Sequence, residues 1–320
     1  MIKETEERLL SFINRDELVR LTQDLIRIDS VIRPETGNTE AGVVRFIAAW
    51  IRKELGVEPL IEEVLPAREN IILTIDSGQA GPCLMFEGHT DVVSEGNRDL
   101  WRHDPFGAEI EDGKIYGRGS CDMKAGLAVN LLTVKAMLKS GVEYKGRMRL
   151  GLMCDEEDQM LGVQDYIKKG HADDVDACLV SEPEENQLCL SMKGALRAIV
   201  RVTGKMAHGA MPLAGINPSI RMARIILAFE VFEKVEMERC GKDEFLGWPS
   251  VTFTVVQSPP AGEPAQLNVM PAESIAYVDI RTIPGQEHEE VKKQLQEALN
   301  RLAADDPDFH AEIEFIADKP

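Results

Sequence analysis

No stretch of this 320-residue sequence stays apolar for the roughly 20 residues that a bilayer-spanning helix needs. The opening MIKETEERLL is charged and lacks the apolar centre of a secretory signal, so the chain reads as cytosolic. Basic charge is also scarce. Lys and Arg number 36 against 55 Asp and Glu, a net charge of −19. Nucleic acid and anionic membranes both require clustered cations, and this balance excludes them as partners. The six cysteines, at 83, 121, 154, 178, 189 and 240, form no CxxC or other zinc-type pair. They read as free thiols, several of them buried in strands, and no disulfide is expected. Internal repeats and low-complexity segments are missing too, and SPPAGEPA (258–265) is a plain surface loop.

What remains is a globular composition, 44% apolar and 28% charged, in a chain long enough for two domains. The excess of carboxylates leaves several free to hold a cation. RDELVRLTQDLIRI (15–28) and TEAGVVRFIAAWIRKEL (39–55) carry apolar residues at helical spacing, the second stopped by Gly56. NIILTI (70–75) and CLMFEG (83–88) read as buried strands, and AEIEDGKIYG (108–117) as a hairpin turning on Asp112-Gly113. A helix over 123–141, a strand over 147–154, a helix over about 160–169 and a strand over 177–181 follow, an alternation that indicates a layered α/β sheet. After about residue 190 the order becomes strand-helix-strand-strand-helix-strand, the ferredoxin-like order of a small α+β domain. The expected division is a catalytic domain over 1–190 and a small domain over 191–317.

In open α/β sheets, ligands collect beyond the carboxyl ends of the strands. The strand at 83–88 runs into His89, the strand at 147–154 into Asp155-Glu156-Glu157, and the strand at 177–181 into Glu182; YGRGSCDMKAG sets Asp122 just before a helix. Singly, these are a turn, a solvated loop and a helix cap. Together at one sheet edge they suit two divalent ions: zinc accepts imidazole and carboxylate ligands, and a carboxylate can bridge two ions. Asp91 is placed to accept the other ring N–H of His89. Of Glu156 and Glu157, one can bind metal while its neighbour acts as general base.

GHTDVV, GRGSCDMKAG, DEE, SEP, GKMAHGAMP and NVMP…DIR, in that order from about residue 15 to the end, resemble the di-zinc amidohydrolase family of acetylornithine deacetylase, succinyl-diaminopimelate desuccinylase and carboxypeptidase G. The resemblance implies a zinc-exopeptidase-like catalytic domain with an inserted ferredoxin-like lid that mediates homodimerisation. It implies that His89 and Glu182 hold one Zn2+, Glu157 the other, and Asp122 bridges them, with Co2+ as a possible substitute. Asp91 orients His89, Glu156 is the general acid/base, and His208 reaches the partner's active site to steady the oxyanion. Asn268 and Arg281 contact the substrate, Arg281 gripping its carboxylate. The implied substrate is an N-acyl amino acid or a short peptide, and metallo-carboxypeptidase or dipeptidase activity is the alternative within the family.

The same pattern includes a return to the catalytic domain that carries a last metal-binding histidine. Residues 318–320 are read as its start, and the sequence to Pro320 offers no candidate for that histidine. The second ion is therefore expected to bind weakly, and the catalytic domain to expose an apolar flank. A truncated chain and one completed by another polypeptide both remain open, as does a non-catalytic dimeric member. A thiol hydrolase using Cys121 is a more distant rival. His103, His171, His288 and His310 match no motif and are expected at the surface.

Overall fold

The computed structural model describes residues 2–319 and divides into two compact units, Met1–Gln187 and Leu188–Pro320. The first contains α1 (Ile2–Leu10), α2 (Arg15–Ile26), α3 (Ala41–Leu55), β1 (Leu60–Leu65), β2 (Arg68–Asp76), β3 (Cys83–His89), β4 (Glu109–Glu111), β5 (Lys114–Tyr116), α4 (Lys124–Ser140), β6 (Arg147–Met153), α5 (Leu161–Lys168) and β7 (Ala177–Val180). Its sheet has the order β1-β2-β6-β3-β7; β6, β3 and β7 run parallel, and β1 and β2 are antiparallel additions.

Alternation along the strands builds two core layers on this sheet. Ile71, Leu73, Leu150 and Leu152 pack with Leu21 and Leu25 of α2, Val43, Ile47 and Ile51 of α3, and Leu127 and Leu131 of α4. Ile72, Met85 and Met153 face the other way and meet Tyr166 of α5. The helix signals act as written. Asn14 accepts the Glu17 N–H at 3.0 Å to start α2, and the glycine pair Gly56 and Gly141 stops α3 and α4 in left-handed conformation. Asp112 and Gly113 both take positive φ and close the β4–β5 hairpin.

The second unit contains β8 (Gly194–Thr203), β9 (Ala207–His208), α6 (Pro218–Cys240), β10 (Ser250–Gln257), β11 (Val269–Met270), β12 (Glu273–Thr282), α7 (His288–Asp305) and β13 (His310–Lys319). Its antiparallel sheet has the order β10-β12-β8-β13. Leu196, Ala198, Val200 and Val202 alternate along β8 and, with Val278 and Ile280, receive Met222, Ile225 and Phe229 of α6 and Leu295 and Leu299 of α7. Beside this sheet, β9 and β11 form a separate two-stranded ribbon.

Four elements, α1, β1, β9 and β11, have no counterpart in the sequence reading. In α1 and β1 the charged residues interrupt any apolar period, and the β9–β11 ribbon is too short to leave one. Two histidines expected at the surface are instead enclosed. His288 is buried, with Nε2 at 2.8 Å from Thr282 Oγ1 and Nδ1 at 2.5 Å from Asp318 Oδ1. The His103 side chain is 10% exposed, between Glu109 and Glu111 at 2.9 and 3.0 Å. Strand pairing brings these partners together, and local sequence does not reveal them. His310 is exposed and His171 half-buried against Glu62. Cys83 and Cys154 are buried, whereas Cys121, Cys178 and Cys189 are exposed, so the cysteines are less interior than expected.

Candidate metal centre

His89 is the last residue of β3, and its side chain is 1% exposed. Two glycines allow other segments to reach it. A Cβ at Gly88 would lie 2.7 Å from Met123 Cε, so glycine there leaves room for the Met123 side chain of the turn before α4 against the strand end. A Cβ at Gly126 would lie 2.3 Å from the Ser181 carbonyl oxygen, so glycine also lets the segment after β7 close on α4. The first approach delivers Asp122 and the second Glu182. His89 Nε2 lies 2.9 Å from Asp122 Oδ1 and 3.5 Å from Glu182 Oε1. One ligand atom from each of these three side chains falls within 4.8 Å of the other two.

The opposite ring nitrogen, Nδ1, is 2.9 Å from the backbone carbonyl of Asp91 and 3.5 Å from its carboxylate Oδ1. The carbonyl is thus the nearer acceptor. The Asp91 carboxylate has further partners: Oδ1 accepts the Glu156 N–H and Oδ2 the Glu157 N–H, each at 3.1 Å. Asp91 therefore ties the end of β3 to the acidic loop after β6. Glu157 lies outside the three-residue ligand group, and both Glu156 and Glu157 are half-buried.

The electrostatics are those of a site short of positive charge. Burial opposes a charged His89, but its bonds to Asp122 and Asp91 outweigh this and raise the imidazole to about 11. Burial pushes Glu182 up to about 7, with Asp122 and Glu156 adding repulsion. Glu157 is raised by burial and then by Asp122. Asp122 is held below the usual range by its bond to His89. Carboxylates crowded against one another and against burial, around an imidazole held toward its charged form, make a donor set that a divalent cation fits.

Two neighbours carry no signal in the sequence reading. Glu87, two residues before His89 on β3, is pushed up to about 7 by burial, with Glu156 adding to the shift. Strand alternation could have placed it on the His89 face. Lys124 is fully buried; its Nζ donates to the Leu25 and Ile28 carbonyls at 3.0 and 2.6 Å, and burial pushes it down to about 7. Its place two residues after Asp122, inside the Gly-rich stretch, was the available clue.

The remaining candidates lie in the second unit. His208 pairs with Val269 across the β9–β11 ribbon, and its Nε2 is 3.4 Å from Asn268 Nδ2. Nδ1 accepts the Ala210 N–H at 3.1 Å. Both side chains are exposed. Arg281 sits near the far end of β12, opposite Ser250 and Ala195, and donates to Asp279 at 2.8 Å.

Residues 85–316 match the profile of peptidase family M20/M25/M40. A succinyl-diaminopimelate desuccinylase of Methylobacterium radiotolerans is 30% identical over 311 residues, which cover 93% of this chain and 75% of that protein. A probable succinyl-diaminopimelate desuccinylase of Staphylococcus epidermidis is 26% identical over 335 residues, covering 97% and 80%. The crystal structure of an M20 family metallo-carboxypeptidase from Sulfolobus solfataricus superposes with a TM-score of 0.72 at 20% identity, covering 93% of this chain and 77% of that one. A profile matched from β3 through His89 and Glu182 and on into the second unit makes this chain a metal-dependent hydrolase of peptidase family M20/M25/M40.

Proposed function

We propose that the protein hydrolyses the amide bond of an N-acyl amino acid, as a desuccinylase or deacetylase. The observation that carries this reading is the meeting of His89, Asp122 and Glu182 at one point. The names of the desuccinylase relatives support the substrate class. His89, Asp122 and Glu182 would hold a zinc ion, for which one imidazole and two carboxylates are suitable donors. Glu157 with Asp122 would hold a second, and cobalt is an acceptable substitute. A metal bound there would supply Lewis acidity, polarising the amide carbonyl and lowering the pKa of water.

The chain's own residues do the rest. Glu156 takes the proton of the attacking water and returns it to the leaving amine nitrogen. Asp91 fixes the loop that carries Glu156. His208 donates its Nε2–H to the oxyanion of the tetrahedral intermediate, with the Asn268 amide beside it. Arg281 pairs with the substrate carboxylate.

These last residues also favour a homodimer. The β9–β11 ribbon joins β12 at its Glu273 end, through Asn268 and the Gly204 N–H to Ala272 carbonyl bond, whereas Arg281 lies near the other end. Eight strand steps separate Glu273 from Arg281, about 26 Å at the rise of a strand. His208 and Arg281 thus attach toward opposite ends of β12, which supports a reading in which the His208–Asn268 pair of one protomer serves the site of its partner, with the second unit as the dimerising lid.

The test is a substrate panel with the metal-loaded protein: N-succinyl and N-acetyl amino acids, dipeptides and peptides with C-terminal glutamate. We expect turnover of the N-acyl amino acids, loss with chelator and recovery with zinc or cobalt. Preference for the peptides would contradict the deacylase reading. Bound metal with no turnover at all would make the protein a non-catalytic member.

A further inference from the structure

The loop over 154–162, which carries Glu156 and Glu157, is held in a costly conformation. Asp155 and Met160, neither of them glycine, have φ of 65° and 58°. Such residues persist only where their surroundings fix them from several sides. Some of the restraint is internal. The Asp155 carboxylate accepts the Gln159 and Leu161 N–H groups, and its carbonyl accepts that of Met160. Asp91 at the end of β3 accepts the Glu156 and Glu157 N–H groups, and further restraint comes from the start of β2. Arg68 and Asn70 are two residues apart and share one face of the strand.

Asn70 is fully buried and spans both ends of the loop. Its Oδ1 accepts the Cys154 N–H at 3.1 Å, and its Nδ2 donates to the Gly162 carbonyl at 2.8 Å. Arg68 grips the turn between them. Its Nη1 is 2.8 Å from Asp155 Oδ1, while Nε and Nη2 form a fork on Glu40 at 2.9 to 3.1 Å. The side chains of Asp155 and Glu40 are 2% and 0% exposed, so Arg68 is the cation against which both are buried.

We propose that Arg68 and Asn70 are positioning residues for the hydrolysis. From one face of β2 they clamp the 154–162 loop at its two ends and its turn, and so present Glu156 and Glu157 to the centre built on His89. This rests on the reading that those glutamates serve the reaction. Neither clamp residue touches substrate or metal. An Arg-x-Asn at the head of an apolar strand is the only trace it leaves in the sequence.

The test uses Arg68→Lys, which keeps the charge but loses the fork, and Asn70→Ala, which removes both end ties. Thr74→Ala, farther along β2 and bonded to Arg149 rather than to the loop, is the control. Amide hydrogen exchange is followed on the full-length protein without substrate. Exchange at Glu156, Glu157, Gln159 and Leu161 should quicken by about tenfold or more in the two clamp variants, with α4 unchanged and the control near wild type. With a turned-over N-acyl amino acid, kcat should fall by about tenfold or more while KM stays within about threefold. Wild-type exchange in the loop, equal loosening of α4, or equal loosening in Thr74→Ala would overturn the clamp. Faster loop exchange with kcat unchanged would refute its role in the reaction. Absence of turnover even in the wild type would bear on the hydrolase reading, and the exchange result would still decide the clamp.

Discussion

Replacing Asp91 by Asn separates two jobs that the carboxylate could do. If it served only to orient His89, the change would weaken metal binding and leave the acidic loop alone. The geometry assigns it more. Oδ1 and Oδ2 each accept one backbone N–H, from Glu156 and Glu157, at 3.1 Å, in a side chain that is 1% exposed. A carboxamide offers one acceptor, so one of these bonds is lost and an NH2 group is turned against an N–H. A hydrogen bond to a charged group is worth about 1.5–3 kcal/mol, and the stranded donor costs about 1–3 kcal/mol more. The sum, about 2.5–6 kcal/mol, is the expected loss of stability in urea unfolding of the chelator-treated protein at pH 7. The pH dependence follows from the direction of the shift. Burial opposes the Asp91 charge, but His89 and the two loop N–H groups outweigh it and hold the carboxyl below its usual 3.8. That contribution is present above pH 3.8 and is lost as pH falls through the lower folded value, so wild type and variant should converge in acid. A difference below about 0.5 kcal/mol at pH 7, or one independent of pH, would refute this account of Asp91.

Other consequences are accessible to similar assays. If His208 serves the partner's site, mixing inactive His208→Ala and Glu156→Gln copies should restore about a quarter of wild-type activity, since half the random dimers carry one intact site; no recovery on exchange contradicts the shared site. Phe229 is fully buried, with its ring 5.6 Å from that of Phe253. Phe229→Ala should cost about 3–5 kcal/mol by calorimetry, and a cost under about 1 kcal/mol would mean that this core repacks. Asp174 is held down at about 2, first by its bond from Arg149. Its stabilisation is present above its unfolded value of about 3.8 and is lost as pH falls through 2, so Asp174→Asn should flatten the acid limb of the stability curve.

The outline of both units was legible because their cores use regular periods. Val43, Ile47 and Ile51 repeat at helical spacing, while Leu196, Ala198, Val200 and Val202 alternate. The positions of His89, Asp122 and Glu182 could be read because each closes a recognisable strand or opens a helix. Their gathering at one sheet edge was expected on that ground, but the close approaches at Gly88 and Gly126 that bring them together involve distant sequence and were not legible. The supporting polar groups were hidden for the same reason. Asn70 meets Gly162, Lys124 meets Leu25, and Glu40 meets Arg68, all across long separations. His288 looked like a helix-start surface residue because Thr282 and Asp318 reach it only once β12 and β13 are in place.

The most direct test of the central claim is a calorimetric zinc titration of the chelator-treated protein, beside the variants His89→Ala and Glu182→Ala. The account predicts one tight zinc in the wild type, affinity lowered by about 100-fold or more in each variant, and hydrolysis that tracks occupancy. Equal zinc affinity in all three proteins, or full hydrolysis by the metal-free protein, would contradict it.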